Sequence, residues 1–154
     1  MGTVALREVI PEDLPTLFAQ QFDPQANEMA AFPARNRLAF MAHWKRILAD
    51  PALVTRAILF NGKIAGHVGC FELSGERLVG YWIGREYWGQ GIASRALSQF
   101  LTVVSERPLY ARVARHNVAS IRVLEKCGFM VEREEKANSA IGGDEVEELV
   151  MKLK

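Results

Sequence analysis

The chain has 154 residues, 49% of them apolar and 24% charged, with nineteen Lys and Arg against eighteen Asp and Glu for a formal net charge of +1. These totals fit one globular domain over 1–154 and exclude a disordered or fibrous chain. So even a balance gives no general attraction to nucleic acid or an anionic membrane, and neither is expected as a partner.

From the N-terminus, TVALREV alternates as a short strand, and PEDLPTLFAQQF reads as a helix whose acidic first turn suits the dipole. DPQANEMAAFP follows as a loop. From Arg35 to Asp50, Leu38, Met41, Trp44, Ile47 and Leu48 recur at helical spacing, and Pro51 marks the stop. VTRAILF and KIAGHVGCFEL are strands joined by Asn61-Gly62, a dipeptide suited to a type I′ turn, and Ser74-Gly75 turns the chain into a third strand, RLVGYWIG. Ile92, Ala93, Ala96, Leu97, Phe100, Leu101 and Val104 form one apolar stripe of a helix that runs to about Glu106. LYARVAR is a strand, and NVASIRVLEKCGF a short helix with Asn117 as N-cap and Gly128 just past its end. MVEREE and EVEELVMKLK close the chain as strands around the turn-rich KANSAIGGD. The order βααβββαβαββ predicts an α+β fold with helices packed on the faces of a mixed sheet.

Several classes of protein drop out. MGTVALREVI lacks the apolar core of a signal peptide, and Leu6 stands where an N-myristoylation start needs Ser or Thr. No run approaches the roughly 20 apolar residues of a membrane span. Cys70 and Cys127 form no C-x-x-C pair and have no histidine at ligand spacing, so no metal and no disulfide are expected, and reduced thiols fit a cytoplasmic location. There is no repeat, low-complexity tract or Pro/Gly/Ser linker.

The stretch REYWGQGIASRAL, residues 85–97, sets two glycines around Gln90 at a helix start. Glycine weakens an element interior by roughly 0.5 to 1 kcal/mol relative to alanine, so this pair implies special backbone geometry or close approach of a ligand. A glycine loop that ends a strand and opens a helix aims several N–H groups at one point, and phosphate is the natural ligand. Gly84 to Gly91 has the outer spacing of a P-loop, but Gln90 and Gly91 replace its Lys and Ser or Thr. A dinucleotide fingerprint would need a third glycine where Ser94 sits, after a parallel βαβ start rather than three meandering strands.

A third pattern fits better. WGQGIA, Trp88 to Ala93, resembles the pyrophosphate loop of acetyl-coenzyme A acetyltransferases, with Trp88 where Gln or Arg usually stands. HNVASIRVLEKCGF, residues 116–129, closely resembles the second signature segment of the GNAT superfamily, in particular its RimJ/RimL-like branch, and GYWIG precedes the first segment as it does there. The resemblance is strong over residues 54–131 and extends to the rest in element order. It implies a GNAT-like, mostly antiparallel mixed sheet whose third and fourth long strands part to admit the pantetheine arm. It implies coenzyme contacts from Ile83, Gly84 and Arg85, a diphosphate held by Gly89, Gln90, Gly91, Ile92, Ala93 and Ser94, and a pantetheine contact from Asn117. Some of Arg107, Arg112, Arg115, Arg122 and Lys126 would screen the 3′-phosphate or form a solvated basic face.

The reaction implied is direct attack of a primary amine on the thioester of acetyl-coenzyme A, the amine belonging to a protein N-terminus or a small molecule. A backbone N–H near Ile83 is the expected oxyanion donor. Many relatives place a tyrosine seven residues after the asparagine as proton donor to the thiolate, and here that position is Leu124. Ser120, three residues after Asn117, matches a serine given this role in RimL-like members, or else serves only as an N3 residue of the helix. Glu72, near the end of its strand, is the candidate general base, or a solvated strand end; Val79 replaces a glutamate that some relatives carry just before GYW. His43, His67 and His116 have no orienting partner in the sequence, and Cys127 reads as core. Trp82, Tyr87 and Trp88 could line the mouth of the site, and Met29, Phe32 and Pro33 could form an apolar lid over the acceptor. Seven acidic residues between Glu132 and Glu148 face Arg133 and Lys136 and could draw a cationic amine, or form a solvated hairpin. The alternatives are a coenzyme A-binding module with little turnover and a nucleotide-dependent phosphotransferase. The chain is expected to act as a monomer or a homodimer.

Overall fold

Two tight turns set the sheet. Asn61 and Gly62 take φ of 52° and 81°, the type I′ combination whose twist matches paired strands, and join β2 (Val54–Phe60) to β3 (Lys63–Leu73). Ser74 and Gly75, at 52° and 79°, turn β3 into β4 (Glu76–Ile83). The computed structural model describes residues 2–31, 34–138 and 145–154. With β1 (Val4–Arg7), β5 (Leu109–Ala114), β6 (Met130–Asn138) and β7 (Glu145–Leu153), these strands form one seven-stranded sheet of order β1-β2-β3-β4-β5-β7-β6. Every pairing is antiparallel except β4 with β5, which are parallel and share a single registered pair, Leu78 with Tyr110.

Helices cover both faces, as predicted. On one face α4 (Ile92–Val103) and α5 (Val118–Lys126) bring Ile92, Ala96, Leu97, Phe100 and Leu124 against Val68, Val79, Ala111, Val113 and Met151 of the sheet. On the other, α1 (Leu14–Gln21) and α3 (Arg37–Ala49) pack Leu14, Leu17, Phe40 and Trp44 with Val9 and Ala57. His67 meets Trp44 edge-on there, with ring centroids 5.0 Å apart. Truncating a residue as enclosed as Phe100 costs about 3–5 kcal/mol, so α4 is fixed firmly at the sheet centre.

The segment expected as a loop after α1 contains a further helix, α2 (Pro24–Ala30). Asp23 caps it by accepting from the Gln25 N–H at 3.0 Å, Pro24 fills the first turn, and Ala31 closes it in the left-handed region at φ 54°. Asn27, buried, ties it to the end of α1 through Nδ2 donating to the Gln21 carbonyl at 2.9 Å. The order is therefore βαααβββαβαββ. The fourth helix stops at Val103, shorter than its apolar stripe suggests.

Candidate active site

The chemistry-bearing end of β4 follows from the ladder phase. The Gly84 N–H donates to the Ala65 carbonyl at 2.8 Å, so alternate residues of β4 bond to β3 and the intervening ones, Tyr81 and Ile83, turn their backbone groups to the β5 side. After Leu78 and Tyr110 no further pair of β4 and β5 is in register. A cavity of about 340 Å³ lies here, bounded by Tyr81 and Ile83 of β4, the 89–94 loop, Asn117, Ser120 and Val123 at α5, and Ala26, Met29 and Ala30 of α2.

The loop reaches the cavity in a fixed conformation. Trp88 Nε1 donates to the Ile83 carbonyl at 2.9 Å, folding the indole back over the strand end. Gly89 and Gly91 take φ of 78° and 72°, and no protein atom lies within 4 Å of a Cβ built on either. Handedness, not crowding within the chain, requires glycine at both. Gly91 is the N-cap of α4 and offers no side chain to the first-turn amides, so that turn keeps unpartnered N–H groups and the positive end of the dipole. Arg95 fixes their direction: its guanidinium donates to the carbonyls of Gly2 at 2.7 Å, Gln90 at 3.1 Å and Gly91 at 3.3 Å. In a trans peptide the N–H points opposite to the C=O, so the Gly91 and Ile92 amides face away from Arg95.

On the facing wall, Asn117 caps α5 by accepting from the Ser120 N–H at 3.3 Å. Ser120 Oγ lies 2.6 Å from Tyr81 Oη. Burial pushes the Tyr81 phenol up to about 12, so both hydroxyls are protonated at neutral pH. Tyr81 went unnoticed in the sequence, although GYWIG places it on one face of β4 with Val79 and Ile83, the face that α4 and α5 cover.

Of the residues singled out in the sequence, the structure brings Ile83, Gly89, Gly91, Ile92, Ala93, Ser94, Asn117 and Ser120 together around the cavity. Four others do not line it. Gly84 is buried, with its N–H committed to Ala65 and its carbonyl to the Tyr87 N–H at 2.8 Å; it allows the close approach of Gln20, whose Cγ would be 3.0 Å from a Cβ. The Arg85 side chain turns to α2, with Nε 2.6 Å from Asp23 and Nη1 2.9 Å from Gln25 Oε1. Gln90 is exposed and engages Arg95 through its carbonyl. Glu72 is exposed opposite Arg77, beside the Ser74-Gly75 turn at the start of β4, whereas the cavity lies at the end of that strand. It is placed too far along the hairpin to act as base.

Burial and the charge of His43 hold His67 down to about 4, on the sheet face occupied by Trp44. His116 Nε2 lies 3.3 Å from the Glu28 carbonyl, joining the α5 entrance to α2. Leu124 is core, 2% exposed. Cys127, its thiol pushed up by burial, donates to the Ser94 carbonyl at 3.6 Å rather than entering the cavity. Arg112 and Arg115 pair with Glu135 at 2.9 Å and Glu147 at 3.1 Å, so two cations of the basic segment are taken up by the acidic one. Trp82, Tyr87, Trp88 and Met29 do line the cavity; Phe32 and Pro33 lie outside the described residues. Among the described residues no group of three or more His, Cys, Asp or Glu is placed to hold a metal ion, and no helix is long and apolar enough to cross a membrane.

Residues 3–130 match the acetyltransferase (GNAT) domain family. The chain belongs to that family. Among curated proteins it is 27% identical over 114 residues to the "Putative ribosomal N-acetyltransferase YdaF" of Bacillus subtilis (strain 168), a match spanning 70% of this chain and 62% of that protein. Among solved structures, the GNAT fold recurs in the spermidine N-acetyltransferase from Vibrio cholerae in complex with CoA and spermine, with TM-score 0.84 and 18% identity over 97% of this chain and 94% of that one. It recurs in RimL, a ribosomal L7/L12 α-N-protein acetyltransferase in complex with CoA, with TM-score 0.83 and 18% identity over 97% and 93%. The α+β sheet and the RimJ/RimL-like resemblance of this GNAT domain accord with these likenesses.

Proposed function

We propose that this GNAT domain is an N-acetyltransferase that moves acetyl from acetyl-coenzyme A to a primary amine, which attacks the thioester directly. The observation that carries the reading is the meeting, in one cavity, of the uncapped α4 N-terminus with the parting of β4 from β5. The helix start suits a diphosphate, which Gly89, Gly91, Ile92, Ala93 and Ser94 hold through backbone amides. The open edge of β4 suits a linear arm with amide groups, which binds as an added strand to the Tyr81 backbone and the Ile83 N–H, the Ile83 carbonyl being held by Trp88, with Asn117 across from it. Coenzyme A has both parts, and the structures from Vibrio cholerae and of RimL are complexes with it.

The amine nitrogen forms the new bond to the acetyl carbon. A backbone N–H near Ile83 stabilises the oxyanion, and Ser120 presents its hydroxyl to the departing sulfur. No carboxylate or imidazole is among the described residues lining the cavity, so the ammonium proton leaves through water and the chain contributes by holding the reactants together. The acceptor side, formed by Ala26, Met29, Ala30, Trp82 and Trp88, is apolar. That wall supports a mono-amine or a protein N-terminus as acceptor rather than the polyamine of the Vibrio cholerae protein.

Calorimetric titration with acetyl-coenzyme A, combined with a thiol-release assay over peptides, mono-amines and spermidine, tests this. Binding with release on mono-amines or N-termini is expected. Binding without release on any acceptor would assign a coenzyme-binding module instead, and absence of binding would overturn the site.

A further inference from the structure

We infer that Tyr81 is a positioning residue for the departing thiolate: its hydroxyl, on the strand wall of the cavity, holds and polarises Ser120 on the helix wall. The inference rests on the acetyl-transfer reading and deepens it. Tyr81 Oη and Ser120 Oγ stand 2.6 Å apart, at the short end for an O–H···O bond. Among the described residues the Ser120 carbonyl also lies 3.5 Å from Tyr81 Oη, beyond the range of a good bond. A phenol is a stronger hydrogen-bond donor than an aliphatic hydroxyl, so the favoured arrangement is Tyr81 donating to Ser120 Oγ. The serine hydrogen is then uncommitted, and both residues border the cavity into which it can turn.

Acidities decide what the pair does. A thiol ordinarily titrates near 8.5, and burial places the Tyr81 phenol at about 12. Complete transfer of the phenol proton to a thiolate is therefore uphill, and a serine hydroxyl is a weaker acid still. The pair acts by hydrogen-bond donation: as the C–S bond breaks and its electron pair passes to sulfur, the serine O–H stabilises the charge while Tyr81 strengthens that donor. The ammonium gives one proton to water before its nitrogen attacks as the free amine, and the nitrogen loses a second as the tetrahedral adduct collapses; the sulfur takes up one proton through water, so one proton is released to solvent for each acetyl transferred.

Tyr81→Phe keeps the ring and its packing and removes the hydroxyl. We expect kcat on acetyl-coenzyme A to fall about tenfold, with the dissociation constant of the coenzyme unchanged within twofold. In the double variant with Ser120→Ala the rate should equal that of Ser120→Ala alone, because Tyr81 acts only through Ser120. The Tyr81→Phe deficit should also shrink on the selenoester analogue of acetyl-coenzyme A, whose more acidic leaving group needs less stabilisation; loss of packing alone would penalise both donors equally. Parental kcat in Tyr81→Phe, multiplicative defects in the double variant, or an equal deficit on the selenoester would each overturn the inference while leaving acetyl transfer intact. A parent chain that binds the coenzyme but releases no thiol would instead overturn the underlying reading, and the inference with it.

Discussion

Replacing Gly91 with alanine separates backbone strain from ligand approach. At φ 72° a side chain enters the left-handed region, at a cost of roughly 1–2 kcal/mol. Since no protein atom lies within 4 Å of the new Cβ, no packing clash adds to that cost. Gly62 is a matched control: its φ is 81°, it also has nothing within 4 Å, and it sits in the β2–β3 turn away from the cavity. Gly91→Ala and Gly62→Ala should therefore lower the unfolding temperature alike, by about 2–4 °C per kcal/mol in a chain of this size. They should differ in coenzyme binding. A methyl group beside the Gly91 and Ile92 amides displaces a diphosphate from two charge-assisted bonds worth about 1.5 kcal/mol each, a combined loss of about 3 kcal/mol or about 100-fold in Kd. Gly62→Ala should bind as the parent does. Calorimetric titration of both variants with coenzyme A, alongside their melting curves, reads the two quantities separately. A folded Gly91→Ala chain with parental affinity would refute the assignment of the diphosphate to this loop.

Arg95 does not line the cavity, yet it holds the carbonyls of Gly2, Gln90 and Gly91; Arg95→Gln should weaken coenzyme binding by about tenfold through loss of amide direction, and unchanged affinity would show that the loop keeps its form without it. His67 titrates at about 4 in the folded chain but near 6.5 when unfolded, so the unfolded state takes up the proton first and stability falls as pH drops from 6.5 to 4. Denaturant unfolding at pH 7 and 4.5 should show a loss about 2 kcal/mol larger in the parent than in His67→Gln, and equal losses would exclude His67 as its source.

What the sequence revealed was mostly local. Asn61-Gly62 and Ser74-Gly75 state their turns in two residues each, and the positive φ values at Gly89 and Gly91 repay the emphasis placed on the WGQGIA stretch. Helix α2 escaped because PQANEMA is a single short segment in which Ala26, Met29 and Ala30 are too few to establish a period; its signal was the Asp23-Pro24 start, a cap followed by a residue suited to the first turn. For Arg85 the resemblance implies a coenzyme contact, whereas its side-chain partner, Asp23, lies 62 residues away and only the fold brings it near. The same holds for Tyr81 and Ser120, 39 residues apart. Glu72 is different, for its position was deducible: in a hairpin the last residues of one strand oppose the first residues of the next, so a carboxylate near the end of β3 cannot meet a site at the end of β4.

The missing tyrosine at position 124 bears on whether this cavity can support chemistry at all. Leu124 is 2% exposed and belongs to the core with Leu97 and Phe129, while the residues of α5 and its cap that border the cavity are Asn117, Ala119, Ser120 and Val123. A phenol rooted at 124 would have to displace core packing or extend past it. Ser120 lies four residues earlier, one turn and about 6 Å along the same helix face, where the splay of β4 from β5 has opened the wall. Ser120 itself borders the cavity, and Tyr81 rises from the opposing strand to within 2.6 Å of its hydroxyl, so the strand supports the donor that the helix presents. The strand pleat fixes the direction of Tyr81 as firmly as a helix turn would fix a tyrosine at 124. Absence of that tyrosine therefore does not argue for a chain that binds coenzyme without turning it over, because a protonated donor pair stands at the cavity wall to which the proposed function assigns the thioester end of the coenzyme.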